Sequence, residues 1–180
     1  MNLWIAFFRG INVGGRHLVP MQELKDLLAG MGCCDVCSYI QSGNLVFRHK
    51  EPHAARLVAK ITGVVEQKYG FEPGVMLLDR EALQSAVSAN PFPQAIDDPK
   101  SLQLYFLAEI PASPDLDGVH RDQSADEAFH LQGKVFYLYA PGGFGRSRLA
   151  TRVERHLDVS ATARNLRTAM KVYALAETFN

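Results

Sequence analysis

The sequence predicts an α+β protein. Apolar runs of strand length alternate with segments whose apolar residues recur every three or four positions, and Gly, Pro and Asn separate them. In the first half these elements follow the order β-α-β-β-α-β, which is the ferredoxin-like split βαβ arrangement. A chain of 180 residues, 47% of them hydrophobic, can bury one substantial core or two small ones.

The first predicted strand is the apolar run 3–8, and the residues that follow it, 9–17, form what we call the glycine loop. Pro20 suits the first turn of a helix. This helix ends near Gly30 or Gly32 and buries one face, because its apolar residues recur at three- and four-residue steps: Met21, Leu24, Leu27, Leu28 and Met31.

A β-hairpin is predicted next. Residues 36–40 and 45–47 are rich in β-branched and aromatic residues, and they flank the turn-forming tetrad 41–44, which we call the hairpin turn. A strand at 75–78 completes the split βαβ order. Before that strand, Pro52 opens a second helix, whose apolar stripe comprises Leu57, Val58, Ile61, Val64 and Val65.

The domain boundary is predicted between residues 90 and 100. Asp79 caps a short helix through Val87, and two prolines then end it, because the residue before a proline is driven out of helical geometry. The predicted domains are therefore 1–90, which is ferredoxin-like, and 100–180, a smaller α+β domain that ends in two helices.

The second half begins with a predicted strand at 102–107, followed by a hairpin of strands 129–131 and 135–139. The first of the two closing helices is expected over about 147–157. The second carries four residues on one face, Leu166, Ala169, Met170 and Tyr173.

The composition predicts a cytoplasmic protein that does not associate with membranes. The chain begins without a basic segment of the secretory type, and no stretch approaches the ~20 apolar residues of a membrane span. Its three cysteines, Cys33, Cys34 and Cys37, are crowded and odd in number, which suits a reducing compartment. They lack a second ligand pair nearby, so we expect neither a metal site nor a cofactor.

The net charge is zero, but the charges are unevenly distributed. Residues 72–127 carry eleven acidic and three basic residues, whereas residues 128–180 carry eight basic and three acidic residues. This distribution permits a local site for a polyanion and excludes the uniformly basic surface of a general nucleic-acid binder.

Three segments of the chain resemble a known family. The segments Arg9-Gly10-Ile11-Asn12-Val13-Gly14-Gly15, Tyr39-Ile40-Gln41-Ser42-Gly43-Asn44 and Thr162-Ala163-Arg164-Asn165-Leu166-Arg167-Thr168 resemble the signature blocks of the bacterial domain of unknown function 1697 family. The resemblance implies a ferredoxin-like α+β fold and a cytosolic bacterial protein, and it implies no activity. The sequence departs from the family pattern at Arg16-His17, where a lysine and a small polar residue are common, and at Leu166, where a tryptophan is common.

The glycine loop has three possible roles. It has the spacing G-x-x-x-x-G between a strand and a helix, which is the setting of a phosphate-binding P-loop. Arg16 and His17 occupy the places of the required Lys and Ser/Thr, however, so the set of side chains needed for nucleotide hydrolysis is incomplete. Anion binding without hydrolysis and a structural turn that needs glycine at positive φ both remain open.

Two further segments allow a functional and a structural interpretation. The hairpin turn suits a tight turn, because Gly and Asn tolerate left-handed backbone angles, but its polar side chains are also able to share a ligand with the glycine loop. The densest basic stretch suits a phosphate-bearing partner or a pair of solvated helix faces. It comprises Arg146, Arg148, Arg152, Arg155, Arg164, Arg167 and Lys171.

Two functional hypotheses follow. One is a binding protein for a phosphate-bearing small molecule or nucleic acid, and the other is an enzyme acting on a nucleotide-like or other anionic substrate; no catalytic motif decides between them. The candidate ligand-binding residues, which we expect to converge on one concave surface, are Arg9, Gly10, Asn12, Gly14, Gly15 and Arg16 of the glycine loop, Gln41, Ser42 and Asn44 of the hairpin turn, and Thr162, Arg164, Asn165 and Arg167 of the segment 162–168, which we call the C-terminal block.

Overall fold

The computed structural model describes residues 1–179, which contain eight β-strands, six α-helices and two short 3₁₀ turns. The strands form two antiparallel sheets of four strands each. The predicted α+β class is confirmed. None of the described helices is long and apolar enough to cross a lipid bilayer.

The chain divides into two compact units. The first comprises Met1–Gln84 together with the residues from Lys171 onward, and the second comprises Ser85–Met170. The predicted domains are 1–90 and 100–180, and they place the chain's last residues in the second domain rather than in the first.

The first unit contains the predicted split βαβ order. Its strands are β1 (Asn2–Arg9), β2 (Cys34–Tyr39), β3 (Asn44–His49) and β4 (Gly74–Leu78), and its main helices are α1 (Met21–Gly30) and α2 (Ala54–Tyr69). The sheet has the order β2-β3-β1-β4, with every neighbouring pair antiparallel.

The core of the first unit follows from the alternation of buried residues along its strands and from the apolar faces of its helices. Alternate residues of β1, among them Ala6 and Phe8, belong to the same buried cluster as Leu24 of α1 and Ile61 of α2. Each buried side chain of the size of Phe8, Leu24 or Ile61 contributes about 1.5–3 kcal/mol relative to exposure. The helix α2 ends at Gly70, whose φ of 75° is left-handed and whose N–H donates to the Glu66 carbonyl, 2.8 Å away.

The second unit has the same connectivity as the first. After α3 (Arg80–Ser88) come β5 (Leu102–Leu107), α4 (Leu116–Asp122), β6 (Ala128–Gln132), β7 (Val135–Tyr139), α5 (Val153–Leu157), β8 (Ala161–Asn165) and α6 (Leu166–Glu177). The residues of α6 from Lys171 onward belong to the first unit. The sheet of the second unit has the order β6-β7-β5-β8 and is antiparallel throughout. Strands β5 to β8, with α4 and α5, therefore form a second split βαβ arrangement.

Three elements of the second unit differ from the prediction. The sequence predicts neither α4 nor β8, and the helix expected over 147–157 extends only over Val153–Leu157. The preceding residues form turns, because the Ser147 hydroxyl accepts a hydrogen bond from the Ala150 N–H and the Thr151 hydroxyl donates to the Arg148 carbonyl. Such local bonds of Ser and Thr compete with helix formation.

Candidate functional site

The glycine loop closes on itself before α1 begins. The Arg16 N–H donates to the Val13 carbonyl at 3.1 Å across a turn in which Gly14 and Gly15 have φ values of 59° and 73°. Glycine adopts these left-handed angles without a steric cost. The His17 Nδ1 lies 2.9 Å from the carbonyl oxygen of Gly10, which closes the wider loop.

Asn12 joins the glycine loop to the hairpin turn. Its Nδ2 donates to the carbonyl oxygens of Val19 and Gln41, each at 2.9 Å, and its Oδ1 accepts from the Val19 N–H at 2.8 Å. The structure therefore brings two of the predicted segments into contact. It does so through an amide whose hydrogen bonds are made to backbone groups.

The hairpin turn is packed closely against the start of the glycine loop. A Cβ atom at Gly43 would lie 2.7 Å from Phe8 Cβ and 2.8 Å from Ile11 Cδ1, and the φ of Gly43 is 71°. Asn44 is fully buried, and its Nδ2 donates to the Tyr39 carbonyl at 3.1 Å and to the Ser42 hydroxyl at 2.8 Å. Asn44 thus holds the turn together from inside.

At the rim of this region, Arg9 is the last residue of β1 and is exposed. It pairs with Gly74 in the sheet, and its Cβ lies 3.1 Å from the position that a Cβ of Gly74 would occupy. Arg9 and Arg16 are the charged candidates of this region, and both are exposed.

The C-terminal block forms β8 and the cap of α6. Thr162 is buried, and Arg164, which pairs with Leu104 in the sheet, donates from Nη1 to the Ala163 carbonyl at 2.8 Å. Burial lowers the pKa of the Arg164 guanidinium to about 10. The Asn165 Oδ1 accepts from the Thr168 N–H at 2.8 Å, which caps α6, and Arg167 is exposed.

The predicted residues are thus divided between the two units. The glycine loop and the hairpin turn belong to the first unit, and the C-terminal block up to Thr168 belongs to the second. The convergence of all three segments on one surface stays a prediction.

The second unit also contains a polar cavity that the sequence analysis does not single out. We call it the arginine cavity; its volume is about 500 Å³, and its lining residues come from α4 and from the segment that leads into and through α5. These lining residues are Asp115, Gly118, Arg121, Asp122, Arg148, Arg152, Arg155 and His156.

Asp122 organises three cationic or potentially cationic side chains around one buried carboxylate. Its oxygens lie 3.1 and 3.2 Å from Arg152 Nη1, 2.8 Å from Arg148 Nε and 2.7 Å from His156 Nε2. The hydrogen bond from His156 and the charges of Arg152 and Arg148 lower the pKa of Asp122, although burial opposes the shift. Because an ionised carboxylate only accepts hydrogen bonds, the proton of this contact belongs to His156 Nε2.

Asp115 links the two helices beneath the cavity. Its Oδ1 accepts from the Gly118 N–H at 2.8 Å, which caps α4, and its own N–H donates to the His156 carbonyl at 2.7 Å. A Cβ atom at Gly118 would lie 2.6 Å from His156 Nδ1. Glycine at this position therefore allows the close approach of α4 and α5.

The electrostatics of the cavity are asymmetric. Four guanidinium groups face two carboxylates, an excess of two positive charges before any contribution from His156. The Asp122 side chain is only 5% exposed, whereas those of Arg121 and Arg148 are 74% and 63% exposed. The solvent side of the cavity is therefore positively charged, which favours an anion.

Sequence reasoning found only part of this cavity. Arg148, Arg152 and Arg155 belong to the predicted basic stretch, whereas the carboxylates and His156 were not singled out. One signal was present, since Asp115 is a residue type favoured as the N-cap of a helix and stands seven positions before Asp122. That signal depends on predicting α4, which the sequence analysis does not do.

No group of three or more His, Cys, Asp or Glu side chains within residues 1–179 is arranged to hold a metal ion. The three cysteines are free; Cys33 is buried, and Cys34 and Cys37 are exposed.

Comparison with known proteins places the chain in a family. No curated protein matches it. A similar solved structure is that of the conserved bacterial protein SP0830 from Streptococcus pneumoniae, with 25% sequence identity, a TM-score of 0.70 and coverage of 97% of this chain and 98% of that one. The family model described as "Protein of unknown function (DUF1697)" matches residues 1–137, which include the glycine loop and the hairpin turn but not the C-terminal block. The chain belongs to the DUF1697 family of proteins of unknown function.

Proposed function

We propose that this protein binds a phosphate-bearing small molecule, and that the arginine cavity holds the phosphate. The observation that carries the proposal is the arrangement around Asp122. One buried carboxylate holds the guanidinium groups of Arg148 and Arg152 at 2.8 and 3.1 Å beside a cavity that opens to solvent.

Guanidinium groups held in this way suit phosphate recognition. Asp122 engages Arg148 through Nε and Arg152 through Nη1, so each group has further N–H donors for a ligand. A guanidinium presents its donors in a planar fork that matches two phosphate oxygens. Because Asp122 already limits the rotation of both side chains, binding costs less conformational entropy than it would with unrestrained arginines.

The charge of the cavity favours a dianion. The excess of two positive charges matches a phosphomonoester, whose second pKa of about 6 leaves it close to doubly charged at neutral pH. A concave site of this kind suits a small molecule better than a nucleic acid, whose recognition relies on extended basic surfaces and stacking aromatic side chains. The zero net charge of the chain supports the same choice.

The contribution of the other predicted segments is less well supported. The amides of Asn12 and Asn44 make hydrogen bonds within the fold, so the glycine loop and the hairpin turn offer a ligand chiefly their exposed side chains and backbone groups. An enzyme acting on an anionic substrate would use the same guanidinium groups. His156 is the lining residue best suited to proton transfer. Its side chain is only 10% exposed, its Nε2 is held by Asp122 and its Nδ1 lies against Gly118, so the contacts favour binding over catalysis.

The test is calorimetric titration of the full chain with inorganic phosphate and pyrophosphate at low and high salt. We expect salt-sensitive binding that Arg155→Ala weakens about tenfold, the value of one charge-assisted hydrogen bond. Arg155 is exposed and lines the cavity, so its removal leaves the contacts of Asp122 intact.

Two control variants make the test specific. Arg56→Ala removes the same charge from exposed α2 of the first unit and should leave binding unchanged. Arg167→Ala removes an exposed arginine of the C-terminal block. Weakening by Arg167→Ala without weakening by Arg155→Ala would move the site from the cavity to the C-terminal block, and no binding of either anion would overturn the proposal.

A cytoplasmic location is also proposed. It is supported by the free cysteines, two of which are exposed and would be open to oxidation outside a reducing compartment.

A further inference from the structure

The two oxygens of Asp115 have different roles in the arginine cavity. Oδ1 accepts the hydrogen bond from the Gly118 N–H at 2.8 Å. Oδ2 lies 3.6 Å from Arg121 Nη2 and 3.6 Å from His156 Nδ1, and both distances exceed that of an ordinary hydrogen bond. Asp115 lines the cavity and its side chain is 51% exposed, so Oδ2 has acceptor capacity for a ligand there.

A phosphate group does not use this acceptor. A phosphomonoester dianion has no proton to donate, and it is repelled by a carboxylate at short range. An ionised carboxylate accepts hydrogen bonds and cannot donate one, so the natural partner of Oδ2 is a ligand group with an O–H or N–H. The cavity therefore combines cationic donors for a phosphate with an anionic acceptor for a second, proton-donating part of the same molecule.

The lining also indicates what that second part is not. All eight lining residues lie in the described part of the chain, and none of them is Phe, Tyr, Trp or aliphatic. The one aromatic ring, that of His156, is only 10% exposed and is held by Asp122 through Nε2. Nucleobases are held mainly by stacking on aromatic or apolar side chains, each stacked base contributing about 1–3 kcal/mol. The cavity therefore offers a base no Phe, Tyr, Trp or aliphatic surface, whereas a hydroxylated chain or ring forms hydrogen bonds with its charged groups.

On the basis of the proposed function, we infer that the ligand of the arginine cavity is a phosphorylated sugar or polyol. Its phosphate binds the guanidinium groups of Arg148, Arg152 and Arg155, and one of its hydroxyl groups donates to Asp115 Oδ2. The volume of about 500 Å³ lies within the range of small-molecule sites.

The wild-type protein tests this inference through four probes in calorimetric titrations: inorganic phosphate, ethyl phosphate, ribose 5-phosphate and AMP. Ethyl phosphate is a phosphomonoester without hydroxyl groups, so it isolates the contribution of the phosphate. We expect ribose 5-phosphate to bind about tenfold more tightly than ethyl phosphate, as one charge-assisted hydrogen bond predicts. We expect AMP to bind no more tightly than ribose 5-phosphate.

Asp115→Asn tests the hydroxyl contact without removing the cap of α4. The amide oxygen still accepts from the Gly118 N–H, while an NH₂ group, which cannot accept a hydrogen bond from a hydroxyl, replaces Oδ2. The variant should bind ethyl phosphate at least as tightly as the wild type and lose the tenfold preference for ribose 5-phosphate. Asp117→Asn removes the same charge from an exposed residue of α4 that does not line the cavity, and it should keep the preference.

The outcomes distinguish this inference from the proposed function. If inorganic phosphate and ethyl phosphate bind in a manner sensitive to Arg155→Ala, but ribose 5-phosphate binds no more tightly, the sugar phosphate assignment is wrong and the phosphate site stands. Tighter binding of AMP than of ribose 5-phosphate overturns the assignment in favour of a nucleotide. If Asp115→Asn weakens the binding of ethyl phosphate and of ribose 5-phosphate equally, the proposed hydroxyl contact with Asp115 is wrong. If none of the probes binds, both the proposed function and the sugar phosphate assignment are wrong.

Discussion

Both units order their four strands in the same way, but the polar side chains of their loops have different partners. In the first unit, Asn12 lies between β1 and α1, and its amide contacts backbone groups of Val19 and Gln41. In the second, Asp115 lies between β5 and α4 and lines a cavity with charged side chains as its neighbours. Asp115 also satisfies a backbone group, since its Oδ1 caps α4, but its Oδ2 lies beside charged side chains only. A side chain whose polar atoms all contact backbone groups supports the fold, whereas one with an atom left beside unbalanced charge is available to a ligand.

The helices of the two units also differ, because those of the second unit are shorter. In the first unit α1 and α2 have 10 and 16 residues, whereas α4 and α5 of the second have 7 and 5. Long amphipathic helices cover a sheet with apolar side chains. The short helices of the second unit leave turns between them, and the arginines of the cavity lie on these turns and helix ends. The second unit therefore provides the polar cavity, and the first unit provides the larger buried helix faces.

The largest effect that we expect is from Gly43→Val in the first unit. The new side chain meets Phe8 and Ile11 at less than 3 Å, and valine at a φ of 71° is strained. Overpacking and backbone strain each cost about 1–3 kcal/mol, so we expect a loss of roughly 4 kcal/mol in the free energy of unfolding, measured by denaturant titration.

Gly10→Val is the matched control for this substitution. Gly10 has a similar φ of 79°, but a Cβ there meets no atom within 4 Å, so only the backbone strain of about 1–3 kcal/mol applies. Equal losses in the two variants would contradict the close packing of the hairpin turn against the glycine loop.

Asn12→Ala tests whether the glycine loop is structural. The substitution leaves the Val19 N–H and two carbonyl oxygens without their partner, which should lower the free energy of unfolding by roughly 2 kcal/mol. Phosphate affinity, measured by calorimetry below the unfolding transition, should not change. Asn2→Ala, which removes an exposed amide with one contact at 3.5 Å, is the control. A folded Asn12→Ala variant that no longer binds phosphate would contradict the contrast between the units and place the ligand at the glycine loop.

The stability that is lost at acid pH should depend on Asp122 of the second unit. Its pKa is lowered from an ordinary value of 3.8, chiefly by the hydrogen bond from His156 and by Arg152 and Arg148. A carboxyl group with a lowered folded-state pKa stabilises the fold above its unfolded-state pKa, and this contribution is lost as the pH falls through the lowered value. The difference in melting temperature between the wild type and Asp122→Asn should therefore be largest near neutral pH and shrink below a pH of about 4.

The matched variant for this measurement is Asp117→Asn, which changes an exposed carboxyl group of the same helix. Its difference in melting temperature from the wild type should stay small across the same pH range. A difference for Asp122→Asn that does not shrink in acid would show that the carboxylate acts by packing rather than by charge.

The sequence allowed much of the first unit to be predicted, because its helices are long enough to show a period. Strands β5 and β7 were also predicted with their observed bounds, since both are short apolar runs beside turn residues. By contrast, β8 has the sequence Ala-Thr-Ala-Arg-Asn, and its pairing with β5 joins Leu104 to Arg164, 60 positions away. Neither composition nor local pattern predicts such a pairing.

The arginine cavity was hidden for a related reason. Its basic residues form a dense stretch in the sequence, but the carboxylate that orients them lies in another segment, with Asp122 and His156 34 positions apart. The helix that carries Asp122 contains one fully buried aliphatic residue, Val119, and a glycine, so its amphipathic pattern is weak. The site therefore depends on a tertiary contact, whereas the glycine loop is visible as a local motif.

The smallest effect concerns the cysteines, all three of which belong to the first unit. Cys34 and Cys37 are exposed on the edge strand β2, whereas Cys33 is buried beside α1, and burial raises the pKa of its thiol to about 11. The thiolate is the reactive form, and at pH 8 a thiol with this pKa is ionised in roughly one molecule in a thousand. A thiol reagent at pH 8 should therefore label two cysteines of the native protein rapidly and the third only slowly, with all three labelled rapidly in denaturant. Mass spectrometry of the partly labelled protein should find Cys33 unmodified. Rapid labelling of Cys33 under native conditions would mean that the first unit opens readily, in contradiction to the close packing of its core.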